Sequence, residues 1–235
     1  MIYIGLDDTD TLDSPGTNQL ARHLVTQLAC DFEGQLIVRH QLLEHPEVPC
    51  TRKNGCASIL LKPRGSMRCT QLIAKARQIV ATWCPTGSDP GLCVAETVPQ
   101  EIVDWGERCK RKLVTRNQAY KLAAQHGIHL EGLGGTHDGV IGALAAIGLL
   151  ATGNDGRVVY LGASSRDLFE IGGCLSTETV FACGIAAIQD FDSGRLVSMG
   201  TVDVGKRLRP NYRDSRAVLF VRRKGEALWE AVRTV

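Results

Sequence analysis

Apolar runs of strand length alternate with segments of helical period along most of the chain, and this alternation restricts the fold more than any other feature. Residues 2–6 read as a short buried strand ending at Asp7-Asp8. After a turn-rich stretch at 9–16, Leu20, Ala21, Leu24, Val25, Leu28 and Ala29 recur at helical spacing, with Thr17 placed as the N-cap. Residues 35–43 and 57–62 read as strands. Residues 69–83 form an amphipathic helix with Leu72, Ile73, Ala76, Ile79, Val80 and Trp83 on one face. A strand over 92–98, a helix over 117–126 and a helix after the glycine-rich run at 132–139 follow, then strands at 157–161 and 216–222 and a final helix at 225–233. Residues 163–212 show no clear period. The class this predicts is α/β (α+β) with a mixed sheet.

Composition narrows the function. A chain of 235 residues suits one large domain or two small ones with a real core. Charged residues at 22% and apolar residues at 44% argue against disorder and coiled coil. A net charge of +2 is too small to argue for nucleic acid, and 5% aromatics disfavours a base-stacking platform. No apolar run reaches membrane-spanning length and the start Met1-Ile2-Tyr3-Ile4 is not a secretory pattern, so a cytoplasmic protein without a membrane partner is expected. Nine cysteines are scattered with no C-x-x-C pair, which reads as reduced thiols and not as a paired-thiolate zinc site.

The strongest local signal is Gly5-Leu6-Asp7-Asp8-Thr9-Asp10-Thr11, with three carboxylates in four residues at the end of an apolar strand. Ligands in open α/β sheets sit beyond the carboxyl ends of strands. Clustered carboxylates raise one another's pKa unless a cation compensates, and oxygen ligands suit Mg²⁺. The competing reading is an acidic turn in which Asp and Thr cap loop amides. Thr17 either caps the next helix or places a hydroxyl where a helix N-terminus favours phosphate.

Two loops carry weaker signals. Thr51-Arg52-Lys53-Asn54-Gly55 offers two cations and an amide that could meet phosphate, or a solvated hairpin turned by Asn54-Gly55. The run 132–139 has G-x-x-x-x-G spacing at Gly134 and Gly139, but Val140 and Ile141 stand where a phosphate loop needs Lys and Ser or Thr. His137 stands where a dinucleotide fold needs glycine. What remains is a loop in which Gly134, Gly135 and Gly139 let backbone amides approach a ligand. His137 reads more readily as a loop histidine than as an acid or base. Gly142 and Gly148 point to close packing of the following helix on a sheet.

Taken together, Gly-Leu-Asp-Asp-Thr-Asp after the first strand, Thr17, Thr51-Arg-Lys-Asn-Gly, Asp89-Pro-Gly-Leu, the block 139–148 and the segment 209–223 resemble, in the same order, the archaeal tRNA-isoleucine agmatidine synthetases. The resemblance implies a kinase-like ATP-binding part at 1–60 and 132–162 and a ferredoxin-like part at 61–131 and 163–235. It implies an ATP- and Mg²⁺-dependent phosphotransferase or synthetase-like enzyme of unknown acceptor. Asp7, Asp8 and Asp10 would act as catalytic and metal-binding residues, and Thr17 would correspond to a phosphorylated threonine. Thr9, Arg52, Lys53, Asn54, Gly134, Gly135 and Gly139 would bind the nucleotide. The family continues with an OB-fold and a zinc ribbon whose cysteine pairs this sequence lacks. A separate tRNA-binding chain could supply them, and the alternative is an accessory module that binds nucleotide or RNA without turnover.

Overall fold

The computed structural model describes residues 1–48, 50–51, 53–65, 68–162, 164 and 167–233. By packing, the chain forms two units, Met1–Thr152 and Gly153–Val235. The boundary falls at the end of the alanine-rich helix, and residues 61–131 lie in the first unit with 1–60. The class is mixed α/β.

The first unit contains β1 (Ile2–Asp7), α1 (Thr17–Gln27), β2 (Phe32–Arg39), β3 (Ala57–Pro63), α2 (Cys69–Trp83), β4 (Gly91–Ala95), α3 (Gln100–Cys109), α4 (Arg116–Gln125), β5 (His129–Gly132) and α5 (Val140–Ala151). Its sheet runs β5-β4-β1-β3-β2, with every neighbouring pair antiparallel. Alternation of side chains along β1 sends Ile2, Ile4 and Leu6, all buried, to one face, where α1 packs on β1, β2 and β3. Gly5 and Asp7 face the other way, toward α5. Helix α5 is apolar on nearly all sides because the sheet lies on one side of it and α3 and α4 also pack against it.

That close approach sets the glycine pattern. A Cβ at Gly5 would collide with the Ala143 carbonyl of α5, and one at Gly142 would collide with the Asp7 carboxylate. Gly148 lets α3 approach instead, since a Cβ there would strike the Ile102 carbonyl. It therefore serves helix–helix packing, not the helix–sheet packing expected from the sequence. Gly5→Ala is expected to destabilise the protein by about 2 kcal/mol or more, because backbone and not a flexible side chain must move. Chemical denaturation of the variant measures this.

The second unit contains β6 (Arg157–Leu161), β7 (Cys174–Ser176), α6 (Thr177–Ala182), β8 (Ala187–Asp190), β9 (Thr201–Asp203), β10 (Asn211–Arg213), β11 (Arg216–Arg223) and β12 (Leu228–Ala231). Its strands lie in the order β6-β10-β11-β12-β9-β7, with β8 parallel to β11. Asp214 and Ser215, both at positive φ, make the two-residue turn between β10 and β11. The helix expected over 225–233 is instead β12, paired with β11 on one side and β9 on the other. Helix-favouring Glu and Ala residues are overridden there by the open hydrogen-bonding edges of β11 and β9. Smaller corrections concern strand limits: β2 ends at Arg39, not 43, and β4 ends at Ala95, not 98. α3 was not expected from the sequence at all. Among the described residues no helix is long and apolar enough to cross a membrane, and the cysteines are free thiols, four of them buried.

Candidate functional site

The central strand β1 ends at Asp7, whose backbone pairs with Gly91 of β4. Asp8 then takes a left-handed conformation (φ 49°), which Asp tolerates, and turns the chain away from the sheet. The Asp89 N–H donates to the Asp8 carbonyl at 3.0 Å, tying the turn before β4 to the acidic turn. Thr9 is fully buried, and its hydroxyl donates to Thr17 Oγ1 at 3.1 Å. Thr17 is the first residue of α1 and not its cap: the N-cap is Gly16, which has no side chain to offer. The Thr51 hydroxyl donates to the Asp10 carbonyl at 3.4 Å, tying Thr51 to the acidic turn.

A cavity of about 850 Å³ opens around this turn, within the size range of small-molecule sites. Asp7, Asp8, Asp10 and Thr17 line it, with Lys53 and Asn54 from the loop before β3 and Gly139 at the start of α5. Thr9, Gly134 and Gly135 do not line it, and Arg52 lies outside the described residues. Asn54 also has a structural duty, since its side-chain amide donates to the Leu43 carbonyl at 2.7 Å. Much of the remaining wall is apolar, from Leu42, Leu43, Val48, Leu113, Val114 and Ile141.

The acidic turn is electrostatically strained. Burial first, then the charges of Asp8, Asp10 and Asp89, push Asp7 up to about 8, against a backbone hydrogen bond that pulls it down. Burial, followed by the charges of Asp89, Asp10 and Asp138, pushes Asp8 up to about 6. At neutral pH Asp7 keeps its proton and Asp8 is largely ionised. A cation placed among these groups would relieve both shifts, so the donor set suits Mg²⁺. Among the described residues no cluster of three or more His, Cys, Asp or Glu side chains is arranged to hold a metal by itself. Mg²⁺ held by Asp7, Asp8 or Asp10 would therefore complete its shell with water or ligand oxygens, as this ion commonly does.

The glycine-rich loop has an internal anion. Asp89 accepts the backbone N–H of Thr136 (3.1 Å), His137 (2.7 Å) and Asp138 (3.0 Å), and the Thr136 hydroxyl at 2.7 Å. These amides, the natural candidates for phosphate, are occupied by a carboxylate. Gly135, at φ 57°, lets the loop pass close to Asp89, where a Cβ would meet its Cγ at 2.8 Å. His137, also left-handed, packs over Gly132 and does not line the cavity. Asp89→Ala is expected to cost about 1–3 kcal/mol by removing charge-assisted hydrogen bonds. Faster amide hydrogen exchange confined to 136–138 would check the local cause.

The sequence reading missed several lining residues. Asp89, Thr136 and Asp138 bring further polar groups, the segment joining α3 to α4 brings Lys112, and the first residue of α4 is Arg116. Arg116 pairs with Asp138 at 3.3 Å. The signal for this wall was present in the cationic run at 108–116 and in Asp89-Pro90-Gly91.

No family model matches the chain, and no curated protein matches it by sequence. Solved structures do resemble it. The TiaS–tRNA(Ile2)–ATP complex superposes with a TM-score of 0.56 at 20% identity, over 63% of this chain and 36% of that one. Apo TiaS, described as tRNAIle2 agmatidine synthetase, gives 0.51 at 21% identity, and a tRNA fluorescent labeling enzyme gives 0.53 at 21%. The chain thus has a TiaS-like fold, and it spans about a third of the length of those chains.

Proposed function

We propose that the chain is an ATP- and Mg²⁺-dependent enzyme of the phosphotransferase or ligase kind, acting on an RNA acceptor. The observation that carries this reading is the acidic turn at the end of β1, opening into a cavity large enough for a nucleotide and walled by both carboxylates and cations. The resemblance of the fold to a protein solved with tRNA and ATP supports the nucleotide and the RNA as partners.

In this reading Asp8, ionised at neutral pH, and Asp10 hold Mg²⁺. The ion would neutralise phosphate charge. Asp7 keeps a proton until a cation arrives, and Gly142 leaves space for its carboxyl beside α5. Lys53 and Lys112 offset negative charge on the nucleotide, while the apolar wall excludes water from the base. Thr17 presents its hydroxyl from the start of α1, against Thr9. Transfer from ATP needs positioning and charge neutralisation more than covalent help, and these residues supply both.

The test is ATP consumption by the purified chain with Mg²⁺ and a tRNA pool, with and without added amines. RNA-dependent release of ADP or AMP is expected. ATP binding without any product would favour a binding module and overturn the enzymatic reading.

A further inference from the structure

Residues 206–209 read Lys-Arg-Leu-Arg, between β9 and β10, and the acidic cavity uses none of them. The net charge of the chain resides in residues 153–235. Because β12 runs parallel to β9, the residues just past β12 come beside the residues just past β9. Arg207, Arg209 and Arg233 meet there at one concavity of about 100 Å³. That is room for a few water molecules or one tetrahedral oxyanion.

Two carboxylates share the lining, and both are engaged. Glu230 pairs with Lys224 at 2.8 Å, and Asp203 accepts the Gly205 N–H at 2.8 Å. Among the described residues no carboxylate forms an ion pair with Arg207, Arg209 or Arg233. Arg207 is steadied by stacking on Phe169, its guanidinium carbon 4.9 Å from the ring centre. Burial, then the charges of Arg233 and Arg207, hold the Arg209 guanidinium below its usual pKa. Like charges gathered at a hollow repel one another unless an anion sits between them. A phosphate, with several oxygens and forked guanidinium partners, meets three such groups better than a single carboxylate does.

We infer that Arg207, Arg209 and Arg233 form a binding site for a phosphate group, built within residues 153–235. The phosphate is either a phosphodiester of RNA or the tail of a nucleotide. This site does not depend on the reading of the acidic cavity.

The test is calorimetric titration of the full chain, without Mg²⁺, with pyrophosphate, ATP and a short RNA lacking terminal phosphates, both in the otherwise unchanged chain and in Asp8→Asn, so that any contribution of the cavity is read separately. Each probe is repeated with Arg207→Ala/Arg209→Ala added, and with Arg233→Glu at an exposed position, thermal unfolding checking that each variant is folded. The affinity of at least one probe is expected to fall about a hundredfold in the double change and about tenfold in Arg233→Glu. A loss confined to RNA assigns the site to the phosphodiester, and a loss confined to pyrophosphate and ATP assigns it to the nucleotide tail. Equal affinities in all variants, or binding of none of the probes, would overturn the inference.

Discussion

Asp8→Asn is expected to lower Mg²⁺-dependent ATP turnover at least about a hundredfold, the scale of losing a principal electrostatic group in a water-poor site. The substitution is nearly isosteric, and Asn tolerates the left-handed backbone at this position. It also removes one of several mutually repelling charges, so thermal stability should hold or rise. The two readouts separate a functional from a structural role. Near-wild-type turnover in a folded variant would remove Asp8 from the chemistry.

Asp7→Asn is expected to stabilise the metal-free protein while impairing turnover. In the folded chain Asp7 is pushed to about 8 from an ordinary value of 3.8. The unfolded chain releases this proton on passing the lower value, whereas the folded chain holds it to the higher one. Stability associated with Asp7 is therefore fully present below about pH 4 and drains away as pH rises toward 8. Asn cannot ionise and does not incur this loss. Thermal unfolding of the two proteins should coincide in acid and diverge to about 2 kcal/mol at pH 8–9, the figure being reduced for partial exposure to the cavity. Mg²⁺ should narrow the gap by stabilising the ionised carboxylate of the native protein. Curves that remain parallel across this range would show that Asp7 ionises freely.

Much of the first unit was legible because its long elements carry clear periods. Helix α2 runs from Cys69 to Trp83 as read, and Leu72, Ala76 and Val80 are its buried residues. Helix α3 buries Ile102, Trp105, Gly106 and Cys109 after Pro99, but its apolar positions are few and include a glycine and a cysteine, which weakens its helical period in the sequence. The second unit resisted because β7, β9 and β10 are three residues each, too short for any period to register. Its last strand, Leu228–Ala231, pairs with β11 just before it and with β9 further back, and is four residues long with no apolar alternation to mark it.

The same division holds at the cavity. The acidic turn stood out because three carboxylates lie together in sequence. Asp89 did not, because its partners are nearly fifty residues away and its role is to satisfy their amides. The glycine loop was legible as a set of open amides, but sequence could not reveal that a carboxylate of the protein already fills them.

The most direct measurement is calorimetric titration of the purified protein with ATP, with and without Mg²⁺, beside Asp8→Asn. Metal-dependent binding that disappears in the variant is the predicted result, and it would place the nucleotide at the end of β1. Absence of ATP binding under every condition, or equal binding by both proteins, would contradict the account.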